Sequence, residues 1–414
     1  LGPEERLDFY RFLASGFLPD EKRLREAATA YLAEATPEHV TRLHDAAEPP
    51  RQELLRRMNM APGGTPALVA MRDEIGKRLR DDPDLRPLDS DLLHLLGSWF
   101  NRGFLQIRRI DWQTPAAVLE KLIAYEAVHE IQGWEDLRRR LAPDRRCFGF
   151  FHPALPGEPL IFVEVALTEG LASAVQPLLA REDDERAQRE REARADTAIF
   201  YSISNCQKGL RGVSFGNFLI KQVVEELKAE LPRLRQFSTL SPVPGFRRWF
   251  GSRLAEGNAS LLSADESTAL RRATGMDNGA GDGIAALRTL LESDTWWEDA
   301  DKAAALHKPV TRLCALYLTG TTPRLGDPVA RFHLGNGARL ERINWFGNIA
   351  SRGIKESFGI MVNYLYDPDS IEANHEAFAG DGKVMRSASV DELLAPREKP
   401  SGKGQSRAAR LAKT

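Results

Sequence analysis

Three glycines, Gly209, Gly212 and Gly216, stand between a stretch that alternates like a strand and one that repeats like a helix. Ahead of them, residues 197–205 are rich in β-branched and aromatic side chains, with Ile199, Tyr201 and Ile203 on one face, which reads as a buried strand. Behind them, Phe215, Leu219, Val223, Leu227 and Leu231 recur at every fourth position, and Ile220 and Val224 widen that apolar stripe. A strand, a glycine loop and a helix start together form an anion-binding device. The first helical amides have no partner within the helix, and the helix dipole places positive charge beside them. Lys208 and Arg211 add charge of the same sign.

The loop lacks the Lys-Ser/Thr ending of a nucleoside-triphosphate loop and does not follow G-x-G-x-x-G. A pyrophosphate that is held but not cleaved, as in coenzyme A, suits it better. Further on, Phe237-Ser-Thr-Leu240 reads as a strand stopped by Ser241-Pro-Val-Pro244. Ser238 therefore falls near the carboxyl end of a sheet strand, where open α/β sheets form ligand crevices.

The elements that must position these groups follow from the rest of the chain. Its 414 residues are long for one core and favour two domains. A 42% hydrophobic and 28% charged composition is that of a globular protein, and a net charge of -2 gives no bias toward nucleic acid or membrane. The three cysteines, Cys147, Cys206 and Cys314, are far apart and lack the spacing of a zinc site or disulfide framework. No apolar run approaches the ~20 residues that cross a bilayer. Leu1-Gly-Pro does not read as a signal peptide, nor Leu411-Ala-Lys-Thr414 as a peroxisomal address, so a cytoplasmic protein is expected.

Residues 1–98 read as helices, with Leu7, Tyr10, Leu13 and Phe17 as one stripe and Leu24, Ala27, Ala28 and Tyr31 as another. His39, His44 and His94 are isolated there, without metal-ligand spacing. A helix is expected near residues 116–128, followed by an antiparallel pair at 146–152 and 160–167. Glu164 faces away from the alternating Ile161, Val163, Val165 and Leu167, where it could touch substrate, although a solvated or paired carboxylate suits the position better. Residues 181–196, dense in both charge signs, read as a solvated helical connector. Residues 251–320 read as helices and loops, in which Trp296 and Trp297 could wall an acyl pocket but are better read as packing helices. The glycine- and aspartate-rich run from Gly275 to Gly283 lacks the terminal glutamate of an EF-hand and reads as a loop. Asn336-Gly337 marks a turn, residues 339–345 look extended, and turn residues and charges dominate from Ala373 onward.

Three separated segments, in order, resemble the malonyl-CoA decarboxylase family. Gln207-Lys-Gly-Leu-Arg-Gly-Val213 is similar to its coenzyme A loop. Phe237-Ser-Thr-Leu-Ser-Pro-Val-Pro-Gly-Phe246 and Phe332-His-Leu-Gly-Asn-Gly-Ala338 are similar to its two catalytic segments. The resemblance runs from about Trp99 to Tyr366. With the helices read above, the expected chain is α+β: an all-helical domain over residues 1–98, then a catalytic domain over 99–414, whose basic and polar tail from about 395 reads as disordered. The catalytic domain would resemble the acyl-CoA N-acetyltransferase fold, a mixed sheet flanked by helices. Gln207 and Gly212 fit that superfamily's loop signature, whereas Leu210 occupies its inner glycine position.

The resemblance further implies that Gln207, Lys208, Gly209, Leu210, Arg211, Gly212 and Val213 hold coenzyme A. It implies that Ser238 and His333 are catalytic and that Tyr366 is an active-site tyrosine, with Asn363 and Tyr364 as nearby polar contacts. Ser241, three residues after Ser238, is the alternative serine. The reaction would convert malonyl-CoA to acetyl-CoA and CO2 with no metal or other cofactor, because the thioester itself accepts the carbanion's charge. His333 would protonate the carbanion and Ser238 would orient the leaving carboxylate. A homo-oligomer, a tetramer through the helical domain, is implied as well. Two other classes fit a coenzyme A loop: an acyltransferase, and an acyl-CoA sensor without turnover.

Overall fold

The computed structural model describes residues 2–182, 184–213, 219–257, 261–276, 282–293, 295–320 and 326–395. Phe215 and Gly216 of the glycine segment, positions 277–281 and the tail from 396 lie outside the described residues. The chain falls into two compact units, one formed by residues 1–172 and 177–238, the other by residues 173–176 and those from 239 onward.

The first unit begins with six helices: α1 (Pro3–Gly16), α2 (Glu21–Ala33), α3 (Pro37–Ala47), α4 (Pro50–Met60), α5 (Gly64–Arg78) and α6 (Arg86–Trp99). Local chemistry sets several of their starts. The Asp20 carboxylate accepts from the Arg23 amide at 2.9 Å, and Thr36 Oγ1 accepts from the His39 amide at 3.2 Å. Pro37 and Pro50 occupy first-turn positions where no amide partner is needed. The stripe read in α1 buries Tyr10 and Leu13, and α5 and α6 add Leu68, Ile75, Leu92 and Leu96 to the interior.

Four antiparallel strands follow, each paired with the next: β1 (Gln106–Ile110), β2 (Arg145–Phe151), β3 (Pro159–Thr168) and β4 (Thr197–Asn205). The expected β2–β3 pair is present. β1 was not expected, because Gln-Ile-Arg-Arg-Ile alternates poorly; it is the edge strand, and only Ile110 in it is buried. Between β1 and β2, α7 (Ala116–Tyr125) and α8 (Trp134–Arg140) bring Val118, Leu119, Leu122 and Leu137 onto Cys147, Phe151 and Phe162. With helices over the sheet, β2 and β3 are buried on both faces, so Glu164 is fully enclosed. It is a paired carboxylate, with Arg140 Nη1 donating to Oε2 at 2.7 Å. Burial outweighs that pairing and lifts the Glu164 carboxyl to about 7.

A single turn, α9 (Gln176–Leu179), and α10 (Glu185–Arg194) connect β3 to β4. As expected, α10 is a solvated helix, carrying Arg189–Glu185 and Arg186–Glu190 pairs one turn apart. After β4 come α11 (Leu219–Glu230), whose buried face is Leu219, Ile220, Val223, Val224 and Leu227, and β5 (Gln236–Thr239).

The second unit holds β6 (Ser241–Pro242), α12 (Phe246–Ala255), α13 (Ala264–Thr274), α14 (Gly283–Glu292), α15 (Ala300–Thr319), α16 (Pro328–Gly335), β7 (Arg339–Asn344), α17 (Ser351–Ser357), β8 (Met361–Leu365), α18 (Ile371–Asp381) and α19 (Ala388–Leu394). Strand β8 pairs antiparallel with β6 and with β7, the segment expected to be extended. Trp296 is buried against Trp345, Phe346 and Phe358, so it packs as read. The charged region after Ala373 contains two helices, α18 and α19. Packing supplies what weak amphipathic pattern did not: α18 meets α16, and α19 meets α15 and β7. The α+β expectation, helices first and then strands flanked by helices, matches this architecture.

Candidate active site

The second unit brings a histidine, a serine and a tyrosine into one hydrogen-bonded line. His333 sits on α16 with 3% of its surface exposed. Its Nε2 lies 3.0 Å from Ser241 Oγ, and its Nδ1 lies 2.8 Å from Tyr366 Oη. The Tyr364 ring stacks on the imidazole, with centroids 4.8 Å apart and planes at 24°. Ser241 Oγ in turn donates to Thr239 Oγ1 at 2.9 Å, and that oxygen also accepts from the Tyr364 amide at 3.2 Å. One proton pattern satisfies every bond: Tyr366 donates to Nδ1, Nε2–H donates to Ser241, and Ser241 donates to Thr239.

Strand and cap chemistry fix these groups. Ser241 pairs with Val362 in the β6–β8 ladder, which sets it against the strand that leads to Tyr364 and Tyr366. Asn363 Nδ2 donates to the Thr239 carbonyl at 2.7 Å, while its Oδ1 accepts from Asn344 Nδ2 at 2.8 Å and Arg342 Nε at 3.1 Å. The helix carrying His333 starts at an Asp-Pro pair. Asp327 Oδ1 caps the amides of Val329 and Ala330, each at 3.0 Å, and Oδ2 accepts from the Gly245 amide at 3.0 Å. One buried carboxylate thus ties the histidine helix to the serine segment. Gly245 has no room for a side chain, since a Cβ would stand 2.1 Å from Tyr317 Oη.

Burial dominates the electrostatics. It drives the His333 imidazole down to about 3, so the ring is neutral at pH 7. It also raises the Tyr366 and Tyr364 phenols well above their ordinary value and lifts the Asp327 carboxyl despite its amide donors.

The glycine loop belongs to the first unit. Strand β4 ends at Asn205, and Lys208–Leu210 forms a 3-10 turn. Gln207 Nε2 donates to the Pro159 carbonyl at 3.2 Å. Lys208 and Arg211 are exposed, Leu210 and Val213 are buried, and Gly212 takes φ +87°, a conformation that favours glycine. A cleft of about 650 Å³ borders the loop, lined by Gln207, Lys208 and Gly209 on one side and by Val69, Ala70 and Asp73 of α5 on another.

The family models for the malonyl-CoA decarboxylase N-terminal and C-terminal domains match residues 17–100 and 103–404. The chain belongs to the malonyl-CoA decarboxylase family. It is 40% identical to a mitochondrial malonyl-CoA decarboxylase of Anser anser anser, over 83% of this chain and 69% of that protein. Against the one of Rattus norvegicus the identity is 36%, over 92% of this chain and 77% of the relative. The crystal structure of malonyl-CoA decarboxylase from Rhodopseudomonas palustris superposes with a TM-score of 0.81 at 49% identity, covering 95% of this chain and 91% of that one.

The hydroxyl on the imidazole is that of Ser241, the alternative to Ser238 in the sequence reading. The pleat explains the difference. Successive strand residues face opposite ways, so Ser238 and Thr239 point to opposite faces of β5, and it is Thr239 that meets Ser241. Ser238 is fully buried in that strand. Tyr366, Tyr364 and Asn363 all gather at the site. The group on Nδ1 is the Tyr366 phenol. Thr239 and Asp327 were not anticipated as site residues. For Asp327 a signal existed, an Asp-Pro step just ahead of the His333 segment, which is a helix-start pattern.

Proposed function

We propose that the chain converts malonyl-CoA to acetyl-CoA and CO2 without a metal or other cofactor, with Ser241 and His333 as the proton-handling pair. Family membership across both domains carries the reaction. The assignment of Ser241 is supported by one observation above others: both ring nitrogens of His333 are engaged, one by Ser241 and one by Tyr366. The imidazole therefore reaches a substrate through the Ser241 hydroxyl.

In this reading, the bond between C2 and the carboxylate carbon breaks, its electron pair spreads onto the thioester oxygen, and CO2 leaves. C2 then takes one proton. A neutral imidazole moves a proton by accepting at one nitrogen while releasing from the other. Tyr366 at Nδ1 and Ser241 at Nε2 stand where such a shift begins and ends. Solvent restores the proton, so each turnover consumes one. The enclosed site strengthens any donor facing the developing enolate, because low dielectric amplifies a fixed hydrogen bond. Coenzyme A is assigned to residues 207–213, where Lys208, Arg211 and the loop amides would meet its pyrophosphate.

The test is incubation with malonyl-CoA alone in the presence of a chelator. Acetyl-CoA and CO2 should appear in equal amounts. A requirement for an amine or hydroxyl acceptor would replace this reading with acyl transfer, and binding without turnover would replace it with a sensor.

A homo-oligomer, a tetramer through the helical region, is part of the proposal. It is supported by exposed apolar side chains there, Phe12, Leu18, Leu32, Val40 and Met60. Among the described residues no helix is long and apolar enough to cross a membrane. A cytoplasmic location is proposed, although the vertebrate relatives are named as mitochondrial.

A further inference from the structure

Arg72, on α5 of the helical region, is a buried cation whose partners are mostly backbone. Its Nη1 donates to the carbonyls of Gly209 and Arg211, both at 2.8 Å, and its Nε donates to Asp89 Oδ1 of α6 at 3.0 Å. Only 8% of the residue is exposed. The contact between α5 and the glycine loop is close: a Cβ on Gly209 would stand 1.9 Å from the Val69 carbonyl oxygen. Only glycine lets the loop seat on the helix at this depth.

We propose that Arg72 is a positioning residue for coenzyme A binding, which gives the helical region a part in forming the substrate site. The inference rests on the assignment of residues 207–213 to coenzyme A. A peptide unit is planar, with its carbonyl and amide pointing opposite ways. Holding the Arg211 carbonyl on Arg72 therefore turns the Gly212 amide away from α5, to the exposed side of the loop. The positive φ of Gly212 completes that turn. The guanidinium also neutralises two carbonyl dipoles that would otherwise oppose an anion, its own charge being balanced by Asp89. Asp89 anchors the fork so that both carbonyls are met by one nitrogen. Arginine suits this task better than lysine, whose single flexible ammonium cannot hold Asp89 and both carbonyls in a fixed plane.

The experiment compares acetyl-CoA affinity, by titration calorimetry, with malonyl-CoA kinetics for Arg72→Met, Arg72→Lys, Asp89→Asn and Arg211→Glu. Leu85→Ala, a buried change elsewhere in the helical region, serves as a control matched for lost stability. Arg72→Met should raise both Kd and KM by about 10- to 100-fold, the size expected when a charge-assisted bond that preorganises a loop is lost. Its kcat at saturation should stay within about threefold, since an interaction made equally in ground and transition states alters KM alone. Arg72→Lys and Asp89→Asn should fall between it and wild type, and they decide the matter if Arg72→Met fails to fold. Leu85→Ala should lower the unfolding midpoint without changing Kd. If Arg211→Glu weakens binding while the Arg72 and Asp89 variants bind normally, the inference is overturned and the loop assignment stands. If Arg211→Glu also binds normally, both fall. A loss of kcat with KM unchanged in Arg72→Lys would likewise overturn it.

Discussion

Replacing Ser241 by alanine tests the site most directly. The change removes the oxygen 3.0 Å from His333 Nε2 and 2.9 Å from Thr239 Oγ1, with no effect on the stacking of Tyr364 or on the Tyr366 bond to Nδ1. Two consequences separate. The ring nitrogen loses its partner in a buried place, which costs about 1–3 kcal/mol of stability. The proposed proton path to C2 loses its last member, and a positioned proton donor is worth about 10²–10⁴ in rate. We expect kcat to fall by about 10²–10³, equivalent to about 3–4 kcal/mol of barrier, with acetyl-CoA affinity nearly unchanged. The paired comparison is Ser238→Ala, for which kcat should stay within about threefold of wild type if Ser241 is the proton-handling serine. The assay follows CO2 release and acetyl-CoA formation from malonyl-CoA, with urea unfolding of each variant to confirm a folded enzyme at the assay temperature. Near-normal turnover in Ser241→Ala, or a hundredfold loss confined to Ser238→Ala, would refute the reasoning and return the role to Ser238.

The imidazole's environment makes a pH prediction. His333 is held down to about 3 in the folded chain, against an ordinary 6.5, so the unfolded chain binds the extra proton first. Stability from this residue is fully present above about pH 6.5 and is lost as pH falls toward 3. Between pH 7.5 and 4.5 the loss is about 3 kcal/mol, and urea unfolding of His333→Gln should show a pH change smaller by that amount. An equal change in both proteins would contradict it. Asp327→Ala removes a helix cap and orphans the Gly245 amide, for an expected destabilisation of about 2–4 kcal/mol. Its kcat should fall at least tenfold as the His333 helix loses its tie to the serine segment, and unaltered kcat in a folded variant would break that link. Arg140→Met strands Glu164 in the sheet interior and should cost about 3–5 kcal/mol at pH 8. Because burial lifts Glu164 to about 7, the cost should shrink by pH 5.5, where the carboxyl is neutral. A penalty independent of pH in chemical denaturation would show that Glu164 is not the group left unpaired.

Much of the architecture lies in local pattern. The four-residue repeat that names the buried face of α11 and the alternation that names β3 and β4 need no partner to be read, because the period of a regular backbone is intrinsic to it. β1 and α18 were illegible for the complementary reason: their patterns are weak, and they persist through the edge of a sheet and the side of α16. Glu164 was assigned its face correctly, yet sequence could not say that helices cover that face too.

The chemical groups divide along the same line. The sequence by itself determined the family, through the order of three motifs, and by that resemblance pointed to the glycine loop, the serine segment, the histidine segment and Tyr366 as candidates. Only the tertiary structure decided which hydroxyl meets His333, that a phenol takes its other nitrogen, and that Arg72 lies under the glycine loop. Those choices depend on strand pleat, on ladder register and on contacts between residues such as Arg72 and Gly209, far apart along the chain. No local regularity encodes them, because each is settled by where two already formed elements come to pack.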